Sequence, residues 1–195
     1  MDLPAAMLEN AQRAYRTPPR AYHSWHHVEE VERQYREVGL GPGWRQPREV
    51  LLAVVFHDAV YVAGRKDNEE LSAQLATREV TRHLPSESLD TARIEQLIRL
   101  TARHGALAPG DVDPEAALFL DCDLAILGAS PTVFDRYDAQ IREEYSSVPT
   151  VIYSLGRRRF LNRLLDAPRI FLSDFFHQQL DAAARSNLRR ARGEA

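Results

Sequence analysis

An apolar stretch at residues 50–56 runs straight into His57-Asp58, and this junction constrains the fold more than any other part of the sequence. A stretch of that composition is built to be buried. Burial of an imidazole or a carboxylate without a partner costs roughly 2–7 kcal/mol for a polar group, and more for a charge. The two side chains therefore require compensation, which a bound cation, an ion pair or hydrogen bonds to neighbouring helices would supply.

The pattern around this stretch is helical. By composition alone residues 48–57 also suit a buried strand, but no second strand or hairpin signal is available to pair with it. Elsewhere apolar residues recur at helical spacing between breaks rich in proline and glycine. The sequence therefore predicts an all-α protein. The predicted helices cover about residues 3–15, 24–38, 48–57, 68–83, 88–104, 114–124, 130–145, 149–167 and 173–190.

Composition sets the class of molecule. With 195 residues, 44% of them apolar and 27% charged, the chain suits one domain of ordinary size with a proper core. A net charge of −3 provides no basic surface for a nucleic acid polymer. A single cysteine excludes an internal disulfide, and no apolar run approaches the ~20 residues of a membrane span. We expect a cytoplasmic protein without membrane or nucleic-acid partners.

Histidines and a carboxylate near the buried stretch make a metal site the first hypothesis. His23 and His27 are four residues apart, so they share one face if both lie on one helix. His57-Asp58 adds a further imidazole and a carboxylate. Mixed nitrogen and oxygen ligands of this kind suit divalent Mn, Fe, Co, Ni or Zn better than Ca, which prefers an all-oxygen shell.

Two more aspartates follow later in the chain. Asp121 and Asp123 interrupt an otherwise apolar helix, and one or both would extend the same donor set. Each feature also has a structural explanation. A single histidine on an apolar face is more often part of the core, and these aspartates would then cap a helix or pair with basic residues. The combination of all of them in one chain favours a metal site.

Several short motifs follow one another along the chain: Tyr22-His23 to His27, Phe56-His57-Asp58 to Tyr61, Asn68-Glu69 to Ser72-Ala73, Asp121 to Gly128, residues 141–145 and Gly156-Arg157. In this order they resemble the signature of the HD-domain metal-dependent phosphohydrolases, which runs His, His-Asp and Asp over successive helices. More narrowly, the chain is similar to predicted HD-superfamily phosphohydrolases of bacteria. The similarity covers about residues 15–190.

This resemblance implies a single HD-type domain over residues 1–195. The domain would be a helical bundle with a metal-site core at about residues 20–128 and C-terminal helices at about 130–190 packed on it. The implied cofactor is one or two divalent metal ions, with Mn, Fe, Co, Ni, Zn and Mg as the candidates. The implied ligands are His27, His57, Asp58 and Asp123, with Asp121 as the alternative for the last.

The implied activity is hydrolysis of a small phosphorylated substrate, a nucleotide or a related phosphoester. No adjacent Glu-Asp pair follows His57-Asp58, so a carboxylate base would have to come from Glu69 or Glu70. His23 is the other candidate base. The alternatives are a non-catalytic HD module that binds metal or nucleotide as a sensor or scaffold, and a purely structural helical protein.

Basic side chains could hold the phosphate or stabilise the charge that develops during hydrolysis. The candidates are Arg65, Lys66, His104 and Arg142. His104 is also a catalytic candidate, because Thr101-x-x-His104 ends an apolar helix. For the other three, a solvated surface charge is an equally good explanation.

Overall fold

The computed structural model describes residues 1–193, and every regular element within that range is a helix. The prediction of an all-α protein is therefore confirmed. The chain divides after Ala102 into two compact units, the N-terminal unit (Met1–Ala102) and the C-terminal unit, which begins at Arg103. The expected single domain of HD type stays a prediction, and its residues 194–195 lie outside the described range.

The N-terminal unit is built around the apolar stretch, which is a helix and not a strand. Its helices are α1 (Ala5–Ala14), α2 (Trp25–Leu40), α3 (Pro47–Phe56), α4 (Asn68–His83) and α5 (Thr91–Thr101). Pro47 occupies the first turn of α3, where its missing N–H costs nothing. Because α3 packs against α2, α4 and α5, residues 49–59 are buried without interruption.

The C-terminal unit contains α6 (Pro114–Leu124), a 3-10 turn (Ala125–Gly128), α7 (Pro131–Glu144), α8 (Thr150–Asp166) and α9 (Asp174–Ala191). The carboxylate of Asp113 accepts hydrogen bonds from the first free N–H groups of α6, and Pro114 fills the first turn. The 3-10 turn packs against α9. The backbone carbonyls of Leu127 and Ala129 accept hydrogen bonds from the amide of Asn187.

Gly128 explains why the motif that starts at Asp121 ends in a glycine. A Cβ atom at this position would lie 2.7 Å from Cβ of Leu180 on α9 and 3.1 Å from its carbonyl oxygen. Only a residue without a side chain allows the 3-10 turn and α9 to approach this closely.

Over residues 1–193, no single helix has the length and hydropathy to cross a membrane. The segment Pro114–Gly128 meets those criteria only when it is joined to α7, from which it is bent by 103°.

Candidate metal centre

The end of α3 fixes the orientation of His57. The backbone N–H of His57 still donates to the carbonyl of Ala53, which continues the helical pattern by one residue. Its ring Nδ1 lies 2.9 Å from the carbonyl oxygen of Val54. Because a carbonyl oxygen only accepts, Nδ1 carries the proton in this contact, and in the neutral ring Nε2 presents a lone pair. This is the tautomer that a metal ligand bound through Nε2 requires.

Two other side chains of the N-terminal unit lie next to Nε2 of His57. Nε2 of His27 lies 3.1 Å away and Oδ2 of Asp58 lies 3.2 Å away. The same oxygen is 3.8 Å from Nε2 of His27. All three residues are buried. Ligands bound to one cation at roughly 2.0–2.2 Å lie about 3–3.5 Å from one another, so this group could hold a divalent metal ion.

His23 lies beside this group but not on the helix that carries His27. The helix α2 begins at Trp25, and Ser24 before it is extended, with φ −100° and ψ 179°. The argument that His23 and His27 share a helical face therefore does not apply, because Ser24 is the N-cap. Nε2 of His23 is still 4.0 Å from Oδ2 of Asp58, and its ring stacks on Tyr61 at a centroid distance of 4.0 Å.

The Asn-Glu-x-x-Ser-Ala motif holds the chain that leaves Asp58. The side-chain amide of Asn68 accepts from the N–H of Val62 and donates to its carbonyl, both at 3.0 Å. The hydroxyl of Ser72 does the same for Val60, accepting at 3.0 Å and donating at 3.1 Å. Both motif residues are buried on α4. They therefore have a structural task, which is to shape the segment that follows His57-Asp58.

Asp121 anchors the start of α9. Its Oδ1 accepts from the N–H of Leu172 at 2.8 Å, and its Oδ2 accepts from the N–H and the hydroxyl of Ser173 at 2.7 and 2.6 Å. Burial raises the pKa of Asp121 to about 6, against the opposing effect of these hydrogen bonds. Because both oxygens are engaged by the backbone before α9, the structure gives Asp121 a role in the fold of the C-terminal unit.

Asp123 and His104 form a pair within the C-terminal unit. Nε2 of His104 lies 2.7 Å from Oδ2 of Asp123, and both side chains are half-buried. The structure thus brings together two residues that the sequence had placed in separate roles, one as a metal ligand and one as a catalytic or phosphate-binding group.

The remaining candidates lie on more exposed surface. Glu70 accepts from Arg99 at 2.6 Å and from Gln74 at 2.9 Å, and the hydrogen bond from Arg99 is the main cause that lowers the pKa of Glu70 to about 2. Arg65 pairs with its neighbour Asp67 at 2.7 Å. Exposed side chains also belong to Lys66 and Arg142. The catalytic and substrate-binding roles of these residues stay predictions.

Arg20 and Tyr15 were not among the residues expected from the sequence. Both contact the backbone of Asp58: Arg20 donates to its carbonyl, and the hydroxyl of Tyr15 accepts from its N–H. The only hint in the sequence is that Arg20 follows Pro18-Pro19 directly, inside the elbow that precedes the histidine motif.

No protein-family model, no curated protein and no solved structure matches this chain. The functional assignment therefore depends on the residues and on the geometry of the site.

Proposed function

We propose that this protein is a metal-dependent phosphohydrolase of the HD-domain type, acting on a small phosphorylated substrate. One observation carries the proposal: Nε2 of His57 faces Nε2 of His27 and Oδ2 of Asp58 within a buried group. The hydrogen bond from Nδ1 of His57 to the carbonyl of Val54 leaves a lone pair on Nε2. Two imidazoles and a carboxylate are a donor set for Mn, Fe, Co, Ni or Zn. The family resemblance of the motifs adds the reaction class.

Asp123 is the fourth ligand in this proposal. The motif resemblance suggests an aspartate at this point of the chain, and two candidates stand two residues apart. Asp121 is the weaker of them, because both of its oxygens are engaged at the start of α9. His104 would then orient Asp123 by donating from Nε2 to Oδ2, as polar neighbours of metal ligands commonly do.

A bound divalent cation would supply charge neutralisation at a phosphoryl oxygen and a water whose pKa is lowered toward about 7. The proton-handling group in the proposal is His23, whose Nε2 is 4.0 Å from Oδ2 of Asp58 and whose ring is held against Tyr61. Glu70 is the weaker candidate base, because a carboxylate with a pKa of about 2 has little affinity for a proton at neutral pH.

The substrate side of the proposal involves the exposed cations Arg65, Lys66 and Arg142, which would attract a phosphate dianion. The preference for a nucleotide or a related phosphoester comes from the family resemblance. The proposed setting is the cytoplasm, with no nucleic acid polymer and no membrane as a partner.

The test is elemental analysis of protein purified without chelator or metal-affinity resin, beside a panel of phosphomonoesters, diesters and triphosphates with Mn, Co, Ni and Mg. We expect a stoichiometric metal and hydrolysis of at least one substrate class. Both should be lost in Asp58→Ala and retained in Asp166→Ala, which removes an exposed carboxylate from α8.

Two other outcomes would contradict the proposal. A protein that binds metal but is inert across the panel would be a sensor or scaffold module. A protein without stoichiometric metal would be a structural helical protein, and Asp58→Ala would then leave stability unchanged or improved, since it removes a buried charge.

A further inference from the structure

The guanidinium of Arg20 ties together three segments that surround the candidate metal centre. It lies in the elbow between α1 and α2 and donates to the backbone carbonyl oxygens of four residues. One terminal nitrogen, Nη1, reaches the carbonyls of His23 at 3.1 Å and Asp58 at 2.5 Å. The other, Nη2, reaches those of Ala14 at 3.1 Å and Ala59 at 3.0 Å. The end of α1, the segment before α2 and the turn after α3 are thus joined through one side chain.

Two aromatic rings flank this guanidinium. Its central carbon lies 5.3 Å from the ring centroid of Tyr15 and 5.8 Å from that of Tyr61. Both distances are within the range of cation–π attraction. The planar fork of an arginine matches such a setting, because its donors are fixed in one plane while its faces pack against the rings. The guanidinium is therefore held in orientation as well as in position.

The backbone of Asp58 is held from both sides by this arrangement. Its carbonyl accepts from Arg20, and its N–H donates to the hydroxyl of Tyr15 at 3.2 Å. A side chain as short as that of aspartate follows its backbone closely. Fixing both polar groups of the Asp58 backbone therefore fixes where Oδ2 stands relative to Nε2 of His57 and Nε2 of His27, at 3.2 and 3.8 Å.

The same contacts extend to His23. Arg20 donates a hydrogen bond to the carbonyl of His23. Tyr61 lies beside the guanidinium and stacks on the His23 ring. One side chain thus connects the backbone of a metal-binding carboxylate with the segment that carries the proposed proton-handling histidine.

We propose that Arg20, assisted by Tyr15, is a positioning residue for the metal centre: it sets the placement of Asp58 and His23 and touches neither metal nor substrate. This inference rests on the proposed function, since it presumes that the group around His57 binds metal. Polar groups that support metal ligands typically change metal affinity by about 10- to 100-fold when they are removed.

The test compares Arg20→Lys with Arg185→Lys. Lysine keeps the charge but replaces the planar fork by a point donor, so it cannot span the same carbonyls. Arg185 is a matched control, because it also donates to backbone carbonyls, those of Leu165, Ala167 and Pro168, within the C-terminal unit. Both variants and the unaltered chain are stripped with chelator, and Co²⁺ binding is measured by calorimetry and by the visible absorption of the bound ion.

We expect Arg20→Lys to weaken Co²⁺ binding by about 10- to 100-fold and to change the visible spectrum, which reports ligand number and geometry. Arg185→Lys should lower the melting temperature and leave both readouts unchanged. If Arg20→Lys does not fold, Tyr15→Phe replaces it, since it keeps the ring and removes only the acceptor of the Asp58 N–H. That variant should also weaken Co²⁺ binding.

A folded Arg20→Lys or Tyr15→Phe protein with unchanged Co²⁺ affinity and spectrum would overturn the inference and leave the proposed function intact. An unaltered chain that binds no Co²⁺ would overturn the proposed function, and the inference with it. Co²⁺ binding by the unaltered chain therefore distinguishes the two failures.

Discussion

Nε2 of His27 lies 3.1 Å from Nε2 of His57, although the two residues are 30 positions apart in the chain. One belongs to α2 and the other to the end of α3, so the packing of these two helices creates the contact. The proton on Nδ1 of His57 is directed at Val54, which leaves Nε2 to face His27. Two imidazole nitrogens at this distance, next to a carboxylate oxygen, form a group that could hold one cation.

Metal should therefore stabilise the folded chain. A ligand present at 100 times its dissociation constant adds about 2.7 kcal/mol to the free energy of unfolding. We expect Co²⁺ or Mn²⁺ to raise the melting temperature of chelator-treated protein in differential scanning calorimetry. His57→Ala should abolish the increase. His26→Ala is the control, since this neighbouring histidine has a side chain that is 75% exposed, and it should keep the full response.

Substitutions of Asp121 and Asp123 should have different effects, one mainly on stability and the other mainly on metal binding. Asp121→Asn places an amide NH₂ where one oxygen now accepts from the chain before α9, so it should lower the free energy of unfolding by about 1–3 kcal/mol. Its metal affinity should change little. Asp123→Asn should weaken metal binding more than it lowers stability. Urea denaturation and Co²⁺ titration of both variants check this. If Asp121→Asn weakens Co²⁺ binding and Asp123→Asn mainly lowers stability, Asp121 is the ligand.

Close packing at Gly128 should make alanine costly there. A Cβ atom would meet Leu180 at 2.7 Å, and overpacking of this kind typically costs about 1–3 kcal/mol. Gly156→Ala is the matched control, because this glycine lies inside α8 with no atom within 4 Å of the added Cβ. There alanine should stabilise by up to about 1 kcal/mol through its helix propensity. Equal denaturation midpoints for the two variants would contradict the close approach of the 3-10 turn to α9.

The ion pair between Glu70 and Arg99 should persist to low pH. The pKa of Glu70 is lowered from 4.5 to about 2, chiefly by its hydrogen bond from Arg99. Because the folded-state pKa lies below the unfolded one, the contribution of Glu70 to stability is present above about pH 4.5 and is lost as the pH falls toward 2. A carbon-detected NMR titration of the Glu70 carboxyl should show this low midpoint. In Arg99→Gln the midpoint should move up toward 4.5, and a midpoint near 4.5 in the unaltered chain would contradict the pair.

The helices and the burial of His57-Asp58 could be predicted because their signals are local. Apolar spacing and proline breaks identify each helix, and the buried run ending in His57-Asp58 is confirmed as a helix buried by three neighbours. The relation of His23 to His27 could not be derived in the same way. Four-residue spacing suggests a shared face, but the helix begins only at Trp25, after an extended Ser24.

Contacts to backbone carbonyls leave no periodic signal in a sequence. Arg20 joins Ala14, His23, Asp58 and Ala59 through such contacts, and these partners meet only when α1, α2 and α3 have packed. The sequence could not distinguish the roles of Asp121 and Asp123 for a similar reason. Asp121 accepts hydrogen bonds from the N–H groups of Leu172 and Ser173, which precede α9 and lie about fifty residues further along the chain.

The most direct test of the metal centre is anomalous diffraction from crystals grown with Zn²⁺. We expect a strong anomalous peak bounded by Nε2 of His27, Nε2 of His57 and an oxygen of Asp58, at roughly 2.0–2.2 Å from each. Crystals without a peak at this position, in which the two imidazoles are joined by a direct hydrogen bond, would contradict it.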